Sequence, residues 1–146
     1  MAHSEAVIAA GFGCRAGCPV EHVLAVLEQA LAAAGCRLHE VRALYTADFK
    51  HSEAGLLRAA ELLNKPLIAL PVADLQAQSA QALSCSAHTL ERFGVPSVAE
   101  TAALAGASVS GRNAPGDRPR LLGPRRTSGS ATCALASSGR STEHGP

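Results

Sequence analysis

The chain has 146 residues, of which 47% are hydrophobic, 17% charged and 3% aromatic, with a formal net charge of +1. That length and composition fit one globular domain and exclude a disordered chain. A net charge so small gives no global field toward nucleic acid or an anionic membrane, and no apolar run approaches the ~20 residues a spanning helix needs. The start of the chain has no basic flank and carries Glu5, so it does not read as a signal peptide, and a cytoplasmic protein is expected. Five cysteines, an odd count spread from Cys14 to Cys133, are expected as reduced thiols.

AVIAAGFGC (6–14) is a near-continuous apolar run ending in glycine and cysteine, the pattern of a buried central strand. A helix is expected from Pro19 to Ala34, with Val20, Leu24, Leu27 and Leu31 as its stripe and Gly35 just past its end. LHEVRALYT (38–46) predicts a second strand. Ser52 is the expected cap of a helix with Leu56, Leu57, Ala60 and Leu63 on its apolar face, stopped by Asn64 and Pro66.

PLIALPV (66–72) predicts a third strand, and Asp74 the cap of a short helix through Leu83. Ser97 and Glu100 have the spacing of a capping box, opening a helix that runs to about Gly106. Residues 111–130 shift to Arg, Pro and Gly, a mobile loop or ribbon with a brief strand at 121–123. ATCALAS (131–137) returns to strand, and 138–146 reads as a frayed tail. Strands alternating with helices over short loops predict one α/β domain over 1–137, a three-layer α/β/α sandwich with a mostly parallel or mixed central sheet.

GFGCRAGCP (11–19) is the first place to look for chemistry. Its third glycine, Gly17, falls one residue late for a dinucleotide fingerprint, and no G-K-[ST] follows. Three residues separate Cys14 from Cys18, where a redox pair has two, and no further ligands complete a zinc set. Two readings survive: a tight turn, or an anion site made by the glycine-rich turn, the following helix N-terminus and Arg15. YTADFKHSE (45–53) occupies the same topological place one unit later, so both loops are expected at one crevice. There Lys50 would pair an anionic ligand and Glu53 act as a base or a helix cap.

The capping box accounts for Ser97 and Glu100 without a ligand. Cys85 and His88 have no partner at a recognised spacing. Arg112, Arg118, Arg120, Arg125 and Arg126 face one acid, Asp117, in the same stretch. Arginine suits bidentate carboxylate or phosphate contacts, but a solvated loop uses it too, and without interleaved aromatics it makes a poor nucleic-acid surface.

GFGCRAG, LYTADFKHSEAGL, LNKPLIAL, FGVPSVAETAAL and GPRRTSGSATCALA, in that order, resemble the CobE / CbiG C-terminal-domain family of cobalamin (vitamin B12) biosynthesis proteins. The likeness covers about residues 6–137 and is greatest to the stand-alone CobE form. It implies a three-layer α/β/α fold and a role on a corrin-ring intermediate of the precorrin or hydrogenobyrinic acid type, as carrier or accessory factor in the oxygen-dependent pathway. For the stand-alone form it does not imply an enzymatic activity. The alternative is the lactone-opening hydrolysis of the longer CbiG-type proteins, releasing acetaldehyde, with Asp48, Lys50 and Glu53 as candidate catalytic groups. A general phosphate-binding module is a third reading.

By position, the family motifs carry ligand binding onto Gly11, Gly13, Cys14, Arg15, Thr46, Lys50, Glu53, Ser97 and Glu100, and they also match at Asp48. The long Arg/Pro segment at 112–126 departs from the family pattern. Corrin intermediates are large flat rings fringed by carboxylates, which Arg15, Lys50 and the Arg loop would grip. With so few aromatics, the ring face is expected to rest on aliphatic side chains. No cofactor or metal site is expected, any cobalt arriving inside the ligand. Expected partners are the corrin intermediate and other enzymes of the pathway, with no nucleic acid and no membrane.

Overall fold

The computed structural model describes residues 8–50, 52–110 and 118–138. Strand β1 (Ile8–Cys14) leads through a tight turn into α1 (Val20–Ala34), then β2 (Val41–Ala47), α2 (Ala54–Leu63) and β3 (Leu67–Leu70). These three strands are parallel, as a βαβαβ path requires. Three helices follow, α3 (Val72–Gln76), α4 (Ala87–Phe93) and α5 (Val98–Ser110), then the strands β4 (Arg120–Leu121), β5 (Arg126–Ser128) and β6 (Ala131–Ser137). β6 runs antiparallel to β1 over its whole length, and β4 and β5 both pair with β6. The sheet order is β3-β2-β1-β6-β4, so the sheet is mixed and β1 is central.

The alternation of β1 explains the three layers. Ile8, Ala10 and Phe12 join Val23, Val26, Leu27 and Leu56 on the α1/α2 side, while Ala9 joins Leu75, Ala99, Ala102 and Ala103 on the α3/α5 side. The second face is built of small residues: Ala9, Gly11, Ala43, Ala134 and Ala136 meet an α5 whose buried residues are mostly alanine. A Cβ on Gly11 would collide with the Ala99 carbonyl oxygen and the Ala103 backbone nitrogen, so helix and strand touch backbone to backbone. Close packing of small side chains thus replaces the aromatic core that the composition lacks.

Local chemistry sets the element ends, and several differ from expectation. Gly35 closes α1 in the left-handed region (φ 70°), with Cys36 N–H donating to the Leu31 carbonyl. The buried stripe of α1 is Val23, Val26, Leu27 and Ala30, rotated from the expected one, leaving Val20, Leu24 and Leu31 half-buried at its margin. Leu38–Glu40 forms a 3₁₀ turn, so β2 begins only at Val41. Glu53, and not Ser52, occupies the cap position of α2. Asp74 lies inside α3, because Pro71 already starts that helix. α5 runs past Gly106 to Ser110, since Gly106 lies against the Tyr45 ring and no side chain would fit there.

Of the expected mobile loop at 111–130, residues 118–130 include β4 and β5, and 111–117 lie outside the described residues, as does the expected tail from 139 onward. Among the described residues no helix is long and apolar enough to cross a membrane, and no group of three or more His, Cys, Asp or Glu is placed to hold a metal ion.

Candidate functional site

The carboxyl ends of β1 and β2 open onto a cleft of about 730 Å³. Its floor is Gly13 and Cys14 at the end of β1 and the first turn of α5 at Ser97, Val98 and Ala99. Arg15 and Ala16 form one side and Phe49 and Lys50, from the turn after β2, another. α4 contributes Ser86, His88, Thr89, Arg92 and Phe93, and the β5–β6 hairpin adds Arg125, Thr127, Ser130 and Thr132. This is where ligands bind in open α/β sheets, outside the carboxyl ends of the strands.

The chemistry of the lining is one-sided. Arg15, Lys50, Arg92 and Arg125 all reach it, and no carboxylate does among the described residues. None of the four is in an ion pair there; the ion pair formed among the described residues is Arg58–Glu61 at 2.8 Å, on the outer face of α2. Phe49 and Phe93 stack at the mouth with ring centroids 4.3 Å apart and planes 16° from parallel. The Arg92 guanidinium lies 5.4 Å from the Phe93 ring centroid, a cation–π distance. Phe49 keeps 38% of its surface exposed, so a stacked aromatic face is offered to solvent beside the cations. A groove of similar size, about 790 Å³, runs along α2 to the amino end of β3, but it lies away from the carboxyl ends of the strands and mixes Glu61 with Arg58 and Lys65. Charge and position, more than volume, select the first cleft.

The turn GFGCRAGCP closes through backbone: Arg15 N–H donates to the Ser130 carbonyl and Cys18 N–H to the Arg15 carbonyl. Glu53 Oε1 accepts from Gly17 N–H at 3.1 Å, tying the turn after β1 to the start of α2. Burial, reinforced by Cys18 and Glu53 and opposed by Lys50, pushes the Cys14 thiol up to about 12. At neutral pH Cys14 is therefore a thiol and no ready nucleophile. His22 Nδ1 accepts from Ser130 N–H at 3.1 Å and lies 3.0 Å from Ser130 Oγ, pinning the hairpin from the α1 side.

The structure brings together Gly13, Cys14, Arg15, Lys50 and Ser97 from the sequence-derived set. It does not place Gly11, Thr46, Asp48, Glu53 or Glu100 in the cleft lining. Gly11 faces α5, Thr46 is fully buried and donates to the Phe12 carbonyl at 2.8 Å, and Asp48 is exposed on the 3₁₀ turn after β2. His51 lies outside the described residues.

Half of the expected capping box forms: Ser97 Oγ accepts from Glu100 N–H at 3.2 Å. The Glu100 carboxylate turns inward instead, fully buried, and accepts from Leu83 N–H (2.9 Å), Ser84 N–H (2.8 Å), Ser84 Oγ (2.8 Å) and Arg125 N–H (2.9 Å). Sequence reasoning missed the α4 wall, and with it Phe93, Arg92 and Thr89. The available signal was Ser86, whose hydroxyl accepts from Thr89 N–H, with Gly94 closing the helix in the left-handed region.

Sheet order, cleft and motif order define a class, and comparison with known proteins gives it a name: residues 8–136 match the family model described as cobalamin synthesis G C-terminus, and the chain belongs to that family. It is a cobalamin biosynthesis protein of the CobE/CbiG type. Protein CobE of a Sinorhizobium species is 34% identical over 126 residues, covering 86% of this chain and 77% of the relative. The crystal structure of CobE, a protein from the cobalamin (vitamin B12) biosynthetic pathway, superposes with a TM-score of 0.82 at 42% identity over 90% of both chains. The cobalamin biosynthesis protein chiG of Agrobacterium tumefaciens str. C58 gives 0.64 at 37% identity, over 89% of this chain and 97% of that one.

Proposed function

We propose that the cleft binds a corrin-ring intermediate, of the precorrin or hydrogenobyrinic acid type, and that the chain acts as a carrier or accessory factor serving other enzymes of the pathway. One observation carries the reading: four cationic side chains, none ion-paired among the described residues, surround a stacked phenylalanine pair in a lining without a carboxylate. A flat macrocycle fringed by carboxylates is complementary to both features, its edge meeting Arg15, Lys50, Arg92 and Arg125 and its face meeting the rings. The ring face would thus meet Phe49 and Phe93 at the mouth as well as the aliphatic Val98 and Ala99 of the floor. The hydrolytic alternative has less support. Asp48 and Glu53 stand outside the lining, and Glu53 is engaged with Gly17 N–H, so neither carboxylate faces the cleft as a base.

Absorbance titration with hydrogenobyrinic acid and late precorrins tests this. A saturable shift of the macrocycle bands, with the ligand recovered at unchanged mass, is expected. Replacing Lys50 or Arg125 by Ala should weaken affinity about tenfold each, the scale of one charge-assisted contact. A changed ligand mass would establish the hydrolase instead, and no shift with any corrinoid would refute the binding reading.

A further inference from the structure

Glu100 combines complete burial with full occupancy. A carboxylate has about four lone-pair sites, and here four donors fill them: Leu83 and Ser84 N–H on Oε1, Ser84 Oγ and Arg125 N–H on Oε2. No cation pairs with it among the described residues, so these hydrogen bonds are what stabilises its charge. The donors belong to two separate loops. Leu83 and Ser84 lie just ahead of α4, which carries Arg92 and Phe93, and Ser86 N–H is fixed in turn by the Pro96 carbonyl. Arg125 lies just ahead of β5 and carries its own guanidinium to the cleft.

We propose that Glu100 is a positioning residue of the binding site: from inside the protein it sets the Arg125 wall and the α4 wall at a fixed separation, without touching ligand. The inference deepens the corrinoid-binding reading and rests on it. Both oxygens face donors of the protein, so Glu100 acts on ligand only through the two backbones it holds. A capping glutamate would need one bond to its own helix start; this carboxylate makes none there and spans two walls instead.

Glu100→Gln separates positioning from plain stabilisation. The amide keeps the shape but offers one oxygen, which satisfies Leu83 and Ser84 N–H best. Its NH₂ then faces Arg125 N–H, donor against donor, while the Ser84 hydroxyl can turn to accept. Arg125 is the group released. E100Q is expected to weaken hydrogenobyrinic acid binding about tenfold, the scale of one lost charge-assisted contact. E100Q/R125A should bind no worse than R125A, whereas E100Q and R15A should add. Additivity with R125A, or unchanged affinity in E100Q, would overturn the proposal and leave a buried anchor. If E100Q does not fold, E100D, with the charge on a shorter stem, is put through the same cycle.

Amide hydrogen exchange gives an answer independent of ligand. The Arg125 amide should exchange faster in the variant, relative to the rest of the sheet. A wild type that binds no corrinoid would refute the binding reading alone. In that case an unaccelerated Arg125 amide would overturn the positioning role as well, and a selectively accelerated one would uphold it.

Discussion

The starts of α2 and α5 are built from the same parts and behave differently. Each follows a loop that ends beside the cleft, each has a glutamate in or next to its first turn, and each involves a glycine at a backbone close approach. At α2, Glu53 holds one N–H, that of Gly17 on the surface, and a Cβ on Gly55 would collide with the Cys18 carbonyl. At α5, the fully buried Glu100 holds four donors, and Gly11 admits the helix onto the central strand. What distinguishes the two is how many orphan donors the fold delivers to each acid and whether water can replace it there. The local sequence, a carboxylate near a helix start, is the same.

The largest effect should come from Glu100→Ala, which leaves three part-buried backbone N–H groups without their acceptor. A loss of about 3 kcal/mol or more is expected from ~1–3 kcal/mol per unmet donor, read from urea unfolding midpoints. A loss below ~1 kcal/mol, the size of one exposed hydrogen bond, would erase the contrast. Next are the glycines. G11A drives a methyl group into the backbone of α5 and should cost ~1–3 kcal/mol. G55A meets one backbone group, the Cys18 carbonyl, where G11A meets the backbone of two residues, and its cost is partly offset by the ~1 kcal/mol that Ala gains over Gly in a helix. A lower melting temperature for G55A than for G11A would reverse the assignment of the tighter interface.

Glu53→Ala should cost only about 0.5–1 kcal/mol, as one exposed hydrogen bond does. Equality with Glu100→Ala in the same denaturation series would break the comparison. At neutral pH the smallest effect concerns Cys14. Its folded-state pKa, about 12, lies above the ordinary value of 9.0. The folded state therefore keeps a proton that the unfolded chain releases, and this contribution is intact below pH 9 and falls as pH rises from about 9 toward 12. Cys14→Ala should flatten the alkaline limb of the stability–pH curve, and an unchanged limb would place the cause in another thiol, such as the buried Cys133, which burial also pushes up.

Much of the fold is legible in the chain because it is written locally. The Gly35 stop, the apolar runs of β1 and β6 and the order of βαβ units depend on near neighbours, and each is found where the pattern puts it. α4 was not legible because none of its residues is buried, so no apolar stripe announces it. The cleft is half legible: Gly13, Cys14, Arg15 and Lys50 come from two strand-to-helix turns whose place in an α/β sheet is predictable. The pairing of Phe49 with Phe93 and the binding of Arg125 N–H by Glu100 join segments remote in sequence, which spacing cannot reveal. Glu100 has the spacing of a capping box, and its N–H is capped by Ser97 Oγ; only the tertiary fold shows where its carboxylate goes.

The position of β6 has a consequence for synthesis on the ribosome. β1 emerges first and can pair with β2 as soon as that strand follows, but its other edge waits for residues 131–137. Throughout translation of the intervening chain, one side of the central strand presents open hydrogen-bonding groups above an apolar face. The small side chains of β1 are thus exposed longest where a chaperone or a neighbouring nascent chain would meet them. Completing the sheet requires pairing strands more than a hundred residues apart, the kind of long-range contact that slows folding.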